Sequence, residues 1–304
     1  MLSLSTSWNA SNHDNGRDLI EEIKAIGFDT VELSFALTKP IVEDILALKN
    51  KGAIKVSSLH NMCPLPAEIG SKKASPDYYS LSSCDEEERK RAVTVAKTTI
   101  DYAAEFGARA VVLHAGRVDV KDRTRELAAL VSENKDFMRT KEQMITERQK
   151  KAAPYLESVI KSLEEIVSYG RKMKVSIGVE NRYYYREIPI LTEFETIFKH
   201  FNPGEIFYWH DVGHAEVFDR LGVCRHKALL DNFGDRLLGI HLHDIIGAVN
   251  DHRAPGHGTF NFAIVKPYIK PETIKVLEVH QPITTDDVRY GVLYLQKVLG
   301  SKLE

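Results

Sequence analysis

Residues 237–258 read LLGIHLHDIIGAVNDHRAPGHG. The stretch opens as the apolar run of a buried strand and dissolves into a loop rich in Gly, Pro and Asn. His241, His243, His252 and His257, with Asp244 and Asp251, gather where that strand ends. A fold for this chain has to explain why ionisable side chains collect at the carboxyl end of a strand.

Working outward, the same kind of unit recurs. Strands are expected at 2–7 (LSLSTS), 30–35 (TVELSF), 55–60 (KVSSLH), 109–116 (RAVVLHAG), 174–181 (KVSIGVEN), 206–213 (IFYWHDVG), 237–244 and 273–280 (TIKVLEVH). Amphipathic stretches fall between them at 18–27, 41–52, 85–106, 192–201, 226–234 and 286–299, and residues 119–170 read as mostly helical. Gly52 suits a helix C-cap. The acids of DEEERKR (85–91) suit the positive end of a helix dipole. Eight strand-helix units in alternation imply a parallel sheet, and eight strands close a barrel. The first turn, SWNASNHDNGRD, lacks the GxGxxG of a doubly wound dinucleotide fold. The expected fold is therefore α/β, a (β/α)8 TIM barrel, with residues 1–304 as one domain.

Composition narrows the function classes. The chain has 304 residues, 43% hydrophobic and 28% charged, with a net charge of −2. That balance argues against a wholesale nucleic-acid binder. The N-terminal MLSLSTSWNA has no basic region and no long apolar run, so neither a signal peptide nor a membrane span is expected. Cys63, Cys84 and Cys224 are odd in number and far apart, which fits a reducing, cytoplasmic setting and no thiolate metal site.

In such a barrel the site lies at the carboxyl ends of the strands. Successive strands there carry His60, His114, Glu180, Asp211 with His214 close behind, His241 with His243, and Glu278. Imidazole with carboxylate suits a divalent ion such as Zn2+ or Mn2+. Each residue alone has a plainer reading: a hydrogen-bonded structural histidine, Asp211 as a helix cap, Glu278 paired with a rim lysine. Their coincidence on one rim favours a metal, because buried carboxylates without a cation repel one another. His241 and His243 share one face, so only one need ligate. His13, His200, His226 and His280 read as surface or packing residues, and His210 as structural.

The motifs SLHN (58–61), VVLHAG (111–116), GVEN (178–181), HDVGH (210–214), HLHD (241–244), DHRAPGHG (251–258) and VLEVH (276–280) resemble, in order, those of the xylose-isomerase-like barrels. That group includes sugar-phosphate isomerases and epimerases, inosose dehydratases and endonuclease IV. The resemblance implies one divalent ion among Glu180, Asp211, His241 and Glu278, with Glu180 and Glu278 as the catalytic acid and base. The endonuclease IV pattern adds His60 and His114 for a second ion, and His214 and His252 for a third. Asn250 stands where that third ion's aspartate is expected, with Asp251 on neighbouring geometry, and His257 replaces a glutamate between Gly256 and Gly258. One to three ions are thus implied.

The first functional expectation is an isomerase or epimerase of a small sugar, sugar phosphate or related polyol-carbonyl compound. It would move a proton through a metal-stabilised enediolate. The alternatives are an endonuclease IV-like phosphodiester hydrolase, an inosose-type dehydratase, and a catalytically idle binding barrel. Substrate contacts are expected from Arg182, Arg117, His243, Arg253 and His257, with Lys266 and Tyr183–Tyr185 as further candidates and loop 61–84 as a lid or an ordered flap. The expected partner is the small molecule, not nucleic acid or a membrane; a homo-oligomer is compatible with the sequence.

Overall fold

The computed structural model describes residues 2–130 and 134–303. Strands β1 (Leu2–Ser5), β2 (Thr30–Leu33), β3 (Lys55–His60), β4 (Ala110–Leu113), β5 (Ser176–Glu180), β6 (Phe207–Asp211) and β7 (Leu237–Leu242) lie in the barrel. β8 (Asp244–Ile246) and β9 (Asn250–Arg253) form a separate antiparallel hairpin, and β10 (Ile274–Leu277) completes the ring. All barrel pairings are parallel, in the order β1-β10-β7-β6-β5-β4-β3-β2, closed by β1 on β2. This is a (β/α)8 TIM barrel.

The helices are α1 (Gly16–Ile26), α2 (Lys39–Asn50), α3 (Glu86–Phe106), α4 (Thr124–Ala128), α5 (Lys135–Met173), α6 (Leu191–His200), α7 (Val212–Arg220), α8 (His226–Phe233) and α9 (Thr285–Leu299). Local chemistry sets their ends. Asp85 accepts from the backbone N–H groups of Glu87 and Glu88, and Glu86–Glu88 occupy the first turn of α3. Gly52, past the end of α2, takes φ +73. The expected helical span 119–170 corresponds to α4 and α5, with residues 131–133 outside the described residues. Among the described residues no helix is long and apolar enough to cross a membrane.

Two departures matter for the site. No loop separates β6 from α7: Asp211 ends the strand and caps the helix, accepting from His214 N–H at 2.7 Å. The alternation also lapses after β7, where the β8–β9 hairpin and a 3-10 turn at Phe262–Ile264, rather than an α-helix, lead to β10. Asp244 organises that excursion. Its carboxylate accepts the backbone N–H groups of Ile245, Gly256, Gly258 and Phe260. A Cβ at Gly258 would lie 2.3 Å from Asp244 Oδ1, so glycine is needed there.

Strand alternation sorts the side chains. Val31, Leu59, Val111, Val179, Tyr208, Ile240 and Leu277 face the helices in the main core. Inside the barrel Ala110, Val112, Trp209, Leu238, Ile274 and Val276 form a second apolar cluster. Trp209 is fully buried, and a Cβ at Gly239 would lie 2.3 Å from its ring. The β1–β3 side of the interior is polar instead, with Ser3, Ser5, Glu32 and Ser58 all buried.

Gly239→Ala is expected to lower stability by about 1–3 kcal/mol, the usual cost of overpacking. Urea denaturation measures it, and the loss should shrink in a Trp209→Leu background if the indole is what the methyl meets.

Candidate metal centre

At the carboxyl rim the inward side chains converge on His241. Its Nδ1 lies 2.6 Å from Glu180 Oε1, 3.0 Å from Glu278 Oε2 and 3.6 Å from Asp211 Oδ2. Donor atoms of Glu180, Asp211, His241 and Glu278 all fall within 4.8 Å of one another. The ring rests edge-on against Trp209, with centroids 5.2 Å apart. These four residues come from four different strand ends, so closure of the barrel is what brings them together.

A second group adjoins the first. His114 Nε2 is 2.7 Å and His60 Nε2 3.8 Å from Glu180 Oε2. A third lies towards the hairpin, where His214 Nε2 and His252 Nε2 stand 3.8 and 3.6 Å from Asp251 Oδ2. Here the sequence reading needs correction: Asp251, not position 250, supplies the carboxylate. The reason is backbone conformation. His252 has φ +52, which breaks the strand alternation and lets neighbours 251 and 252 face one centre. The side chain of Asn250 instead accepts from Arg253.

Hydrogen bonding fixes which imidazole nitrogen faces each group. The Nδ1 atoms of His60, His214 and His252 lie by the backbone carbonyls of Asn61, Asn181 and Glu278. His114 Nδ1 lies 3.0 Å from Asp77 Oδ2, and His241 Nε2 lies 3.0 Å from Glu32 Oε1. Without an ion, His241 Nδ1 at 2.6 Å and His114 Nε2 at 2.7 Å donate to Glu180. With the ring N–H kept on the oxygens behind, the same two nitrogens would turn a lone pair to an ion placed among the carboxylates. Unprotonated nitrogens and carboxylate oxygens, without thiolate, are a donor set that fits a divalent ion.

Electrostatics agree. Burial disfavours charge on every member, yet the fields of Glu278, Glu32 and Glu180 carry the pKa of His241 well above its ordinary value. Against the same burial, His241 and bonds from His114 hold Glu180 well below the carboxylate range, and His241 does the same for Glu278. His214 and His243 hold Asp211 down. The cluster demands positive charge at its middle.

Several expected substrate contacts are placed elsewhere. His243 is fully buried; its Nδ1 accepts from His252 N–H, and its Nε2 faces Asp211 at 2.9 Å. Both ring nitrogens are thereby used within the protein. A Cβ at Gly213 would collide with this ring at 2.2 Å, which accounts for the glycine in HDVGH. Arg182 reaches the pocket wall, but Glu180, Asp77 and Glu187 already occupy its guanidinium. Arg117 donates to the Asp77 carbonyl. Arg253 donates to Asn250, His257 sits 3.5 Å from Asp287, and Lys266 donates to the Val298 carbonyl, so none of the three lines the pocket. Tyr183 and Tyr184 do line it, whereas Tyr185 packs against Phe218.

The cavity over the groups is about 400 Å³. Its wall includes Asp77 and Arg125, which sequence reasoning passed over, together with Asp251 and with His280, which it had read as a surface or packing residue. His280 stacks on His252 with centroids 3.7 Å apart. Glu32 lies beneath the cluster, where the alternation of TVELSF would have placed it inward. Loop 61–84 is pinned by Asp77 on His114 and by Ser82, whose hydroxyl bonds both N–H and C=O of Arg117. His210 is structural: it faces the helices, with Nδ1 bonded to the Tyr208 hydroxyl and Nε2 to His226 Nε2 at 3.0 Å.

A parallel eight-stranded barrel with ionisable side chains converging at its carboxyl rim defines the class. The chain belongs to the xylose isomerase-like TIM barrel family, whose model matches residues 20–282. It is 27% identical over 218 residues to the uncharacterized protein y4fM of Sinorhizobium fredii (strain NBRC 101917 / NGR234), covering 71% of this chain but only 59% of that one. Among solved structures it is similar to a D-tagatose 3-epimerase-like protein, with TM-score 0.69, 17% identity, and 100% and 99% of the two chains covered. It is also similar to the 3-keto-D-glucoside 4-epimerase YcjR of E. coli, with TM-score 0.67, 14% identity, and 97% and 98% covered.

Burial and the adjacent His252 push the pKa of His280 down to about 3. The unfolded chain binds a proton there that the folded chain refuses. This contribution to stability is complete above about pH 6.5 and is lost as pH falls towards the folded value. In the presence of chelator, His280→Asn should flatten the loss of stability between pH 7 and 5 by on the order of 1 kcal/mol. Parallel urea-midpoint curves for variant and parent would contradict this.

Proposed function

We propose that this protein is a divalent-metal-dependent isomerase or epimerase of a small sugar, sugar phosphate or related polyol-carbonyl compound. The observation that carries the reading is the set Glu180, Asp211, His241 and Glu278 around one point, open to a cavity of about 400 Å³. Family membership and the likeness of the fold to two sugar epimerases support it. In this reading those four residues hold the ion, Zn2+ or Mn2+. When bound, such an ion supplies positive charge beside the substrate carbonyl and so acidifies the neighbouring C–H.

The two glutamates are not equivalent. Glu180 is engaged at both oxygens, by His241 on one side and by His114 and Arg182 on the other. Glu278 meets His241 through Oε2. Among the described residues its Oε1 has no hydrogen-bond partner, and the side chain lines the cavity. Glu278 is therefore the group with a lone pair to spare for the substrate proton, and Glu180 is the second carboxylate of the acid-base pair. Proton transfer by a positioned side chain typically contributes 10²–10⁴-fold. Tyr183 and Tyr184, packed edge to face, line one wall of the cavity in which this exchange would take place.

A second reading, an endonuclease IV-like phosphodiester hydrolase, is favoured by one observation: Asp251 with His214 and His252, and His60 with His114 and Glu180, are further donor groups beside the first. Ions held side by side activate water and stabilise a leaving oxygen.

Glu278→Gln is expected to lower solvent-deuterium uptake into ketoses or their phosphates by at least 10²-fold even at metal concentrations that restore full occupancy. Glu180→Gln should reduce both exchange and metal uptake. Isotope exchange by NMR and metal counts per chain check these outcomes, and undiminished exchange in Glu278→Gln would remove the base assigned here. Cleavage of abasic DNA by the metal-loaded parent, with no exchange into any sugar, would instead select the hydrolase.

A further inference from the structure

Glu32 is completely buried on β2, inside the barrel and one layer below the rim. Among the described residues neither lysine nor arginine pairs with it. Its two oxygens are both occupied: Oε1 by His241 Nε2 at 3.0 Å and Oε2 by the Ser58 hydroxyl, which donates at 2.7 Å. Ser58 in turn lies 3.2 Å from the Ser57 hydroxyl, which takes a bond from Ser3 at 2.8 Å. A short hydroxyl chain thus fixes the carboxylate from behind.

A carboxylate desolvated to this degree is costly to the fold, and removing it in favour of a neutral group is often stabilising. Packing does not require it, since glutamine fills the same volume. What distinguishes it is its place. His60, His214 and His252 direct their second nitrogen at a backbone carbonyl. His114 has the carboxylate of Asp77 and His241, the imidazole at the middle of the four-residue group, has that of Glu32. Its Nδ1 faces Glu180, Glu278 and Asp211 while its Nε2 faces Glu32.

We propose that Glu32 is a positioning residue of the centre. It accepts the Nε2–H of His241, selects that tautomer, and so directs the Nδ1 lone pair at the point shared by Glu180, Asp211 and Glu278. The ring also rests edge-on against Trp209, with centroids 5.2 Å apart. A carboxylate behind a ligating imidazole orients the ring and raises its donor strength, and loss of such a partner commonly costs 10–100-fold in metal affinity. The inference rests on the reading that these four residues hold a divalent ion.

The test is a Zn2+ titration of chelator-stripped full-length protein against a chromophoric competitor, with Co2+ absorption as a second readout. The binding step lost in His241→Asn identifies the centre. Glu32→Gln keeps the shape and removes the charge; Glu32→Asp keeps the charge and withdraws it from Nε2; Ser58→Ala frees the carboxylate to rotate. The expected result is a 10–100-fold weaker step in both Glu32 variants and a smaller loss in the same direction for Ser58→Ala, with an altered Co2+ spectrum. Folded Glu32 variants with parental affinity and spectrum would overturn the inference while leaving the metal centre standing. Should both Glu32 variants fail to fold, unchanged affinity in Ser58→Ala would overturn it. A parent chain that takes up no metal would instead bring down the functional reading on which the inference rests.

Discussion

One imidazole among carboxylates sets the terms for the rest of the structure. His241 is fully buried, with Glu180 and Glu278 within hydrogen-bond distance on one edge and Glu32 on the other. So many acids in a low-dielectric interior are tolerable only around positive charge. The surrounding architecture delivers hydrogen-bond donors to further oxygens of Asp211 and Glu180. Asp211 receives the His214 N–H in the first turn of α7, and Glu180 receives the side chains of His114 and Arg182. Arg182 is then shared with Asp77 and Glu187, which extends the network to the loop above β3.

The barrel makes this possible because its interior is not uniform. Trp209 and its apolar neighbours fill the space beneath β4 to β10, and Gly239 and Gly178 lie against that indole. The opposite side keeps serines and Glu32. The ionisable layer therefore sits on a rigid floor on one side and on a hydrogen-bonded one on the other. Family members with this fold can change chemistry at the rim without rebuilding what lies below it.

The strands and most helices were legible because buried parallel strands read as short apolar runs and helices as amphipathic ones. Asp211, His241, Glu180 and Glu278 were legible because alternation fixes which residue at a strand end points inward. Helix α7 was hidden by its lack of a preceding loop. Asp77 sits in an irregular segment with no periodicity to read, and Asp251 was misplaced because one left-handed residue reverses the alternation. Arg253 and His257 lay near the motif in sequence, yet their side chains turn to Asn250 and Asp287. Nearness along the chain does not say where a long side chain ends. Glu32 was readable in principle from the alternation of TVELSF, but it sits below the rim at which the other ionisable strand ends gather, with no neighbouring motif to mark it.

The left-handed backbone at His252 carries a consequence for how this protein can change over time. A side chain bearing a Cβ pays about 1–2 kcal/mol in that conformation, and glycine pays almost nothing. The cheapest route to a sturdier molecule at this position is thus also the one that deletes an imidazole from the hairpin group. Lineages released from the demand for that group would be expected to drift towards glycine there, so the residue type at this turn is a marker of whether selection still acts on the outer donors.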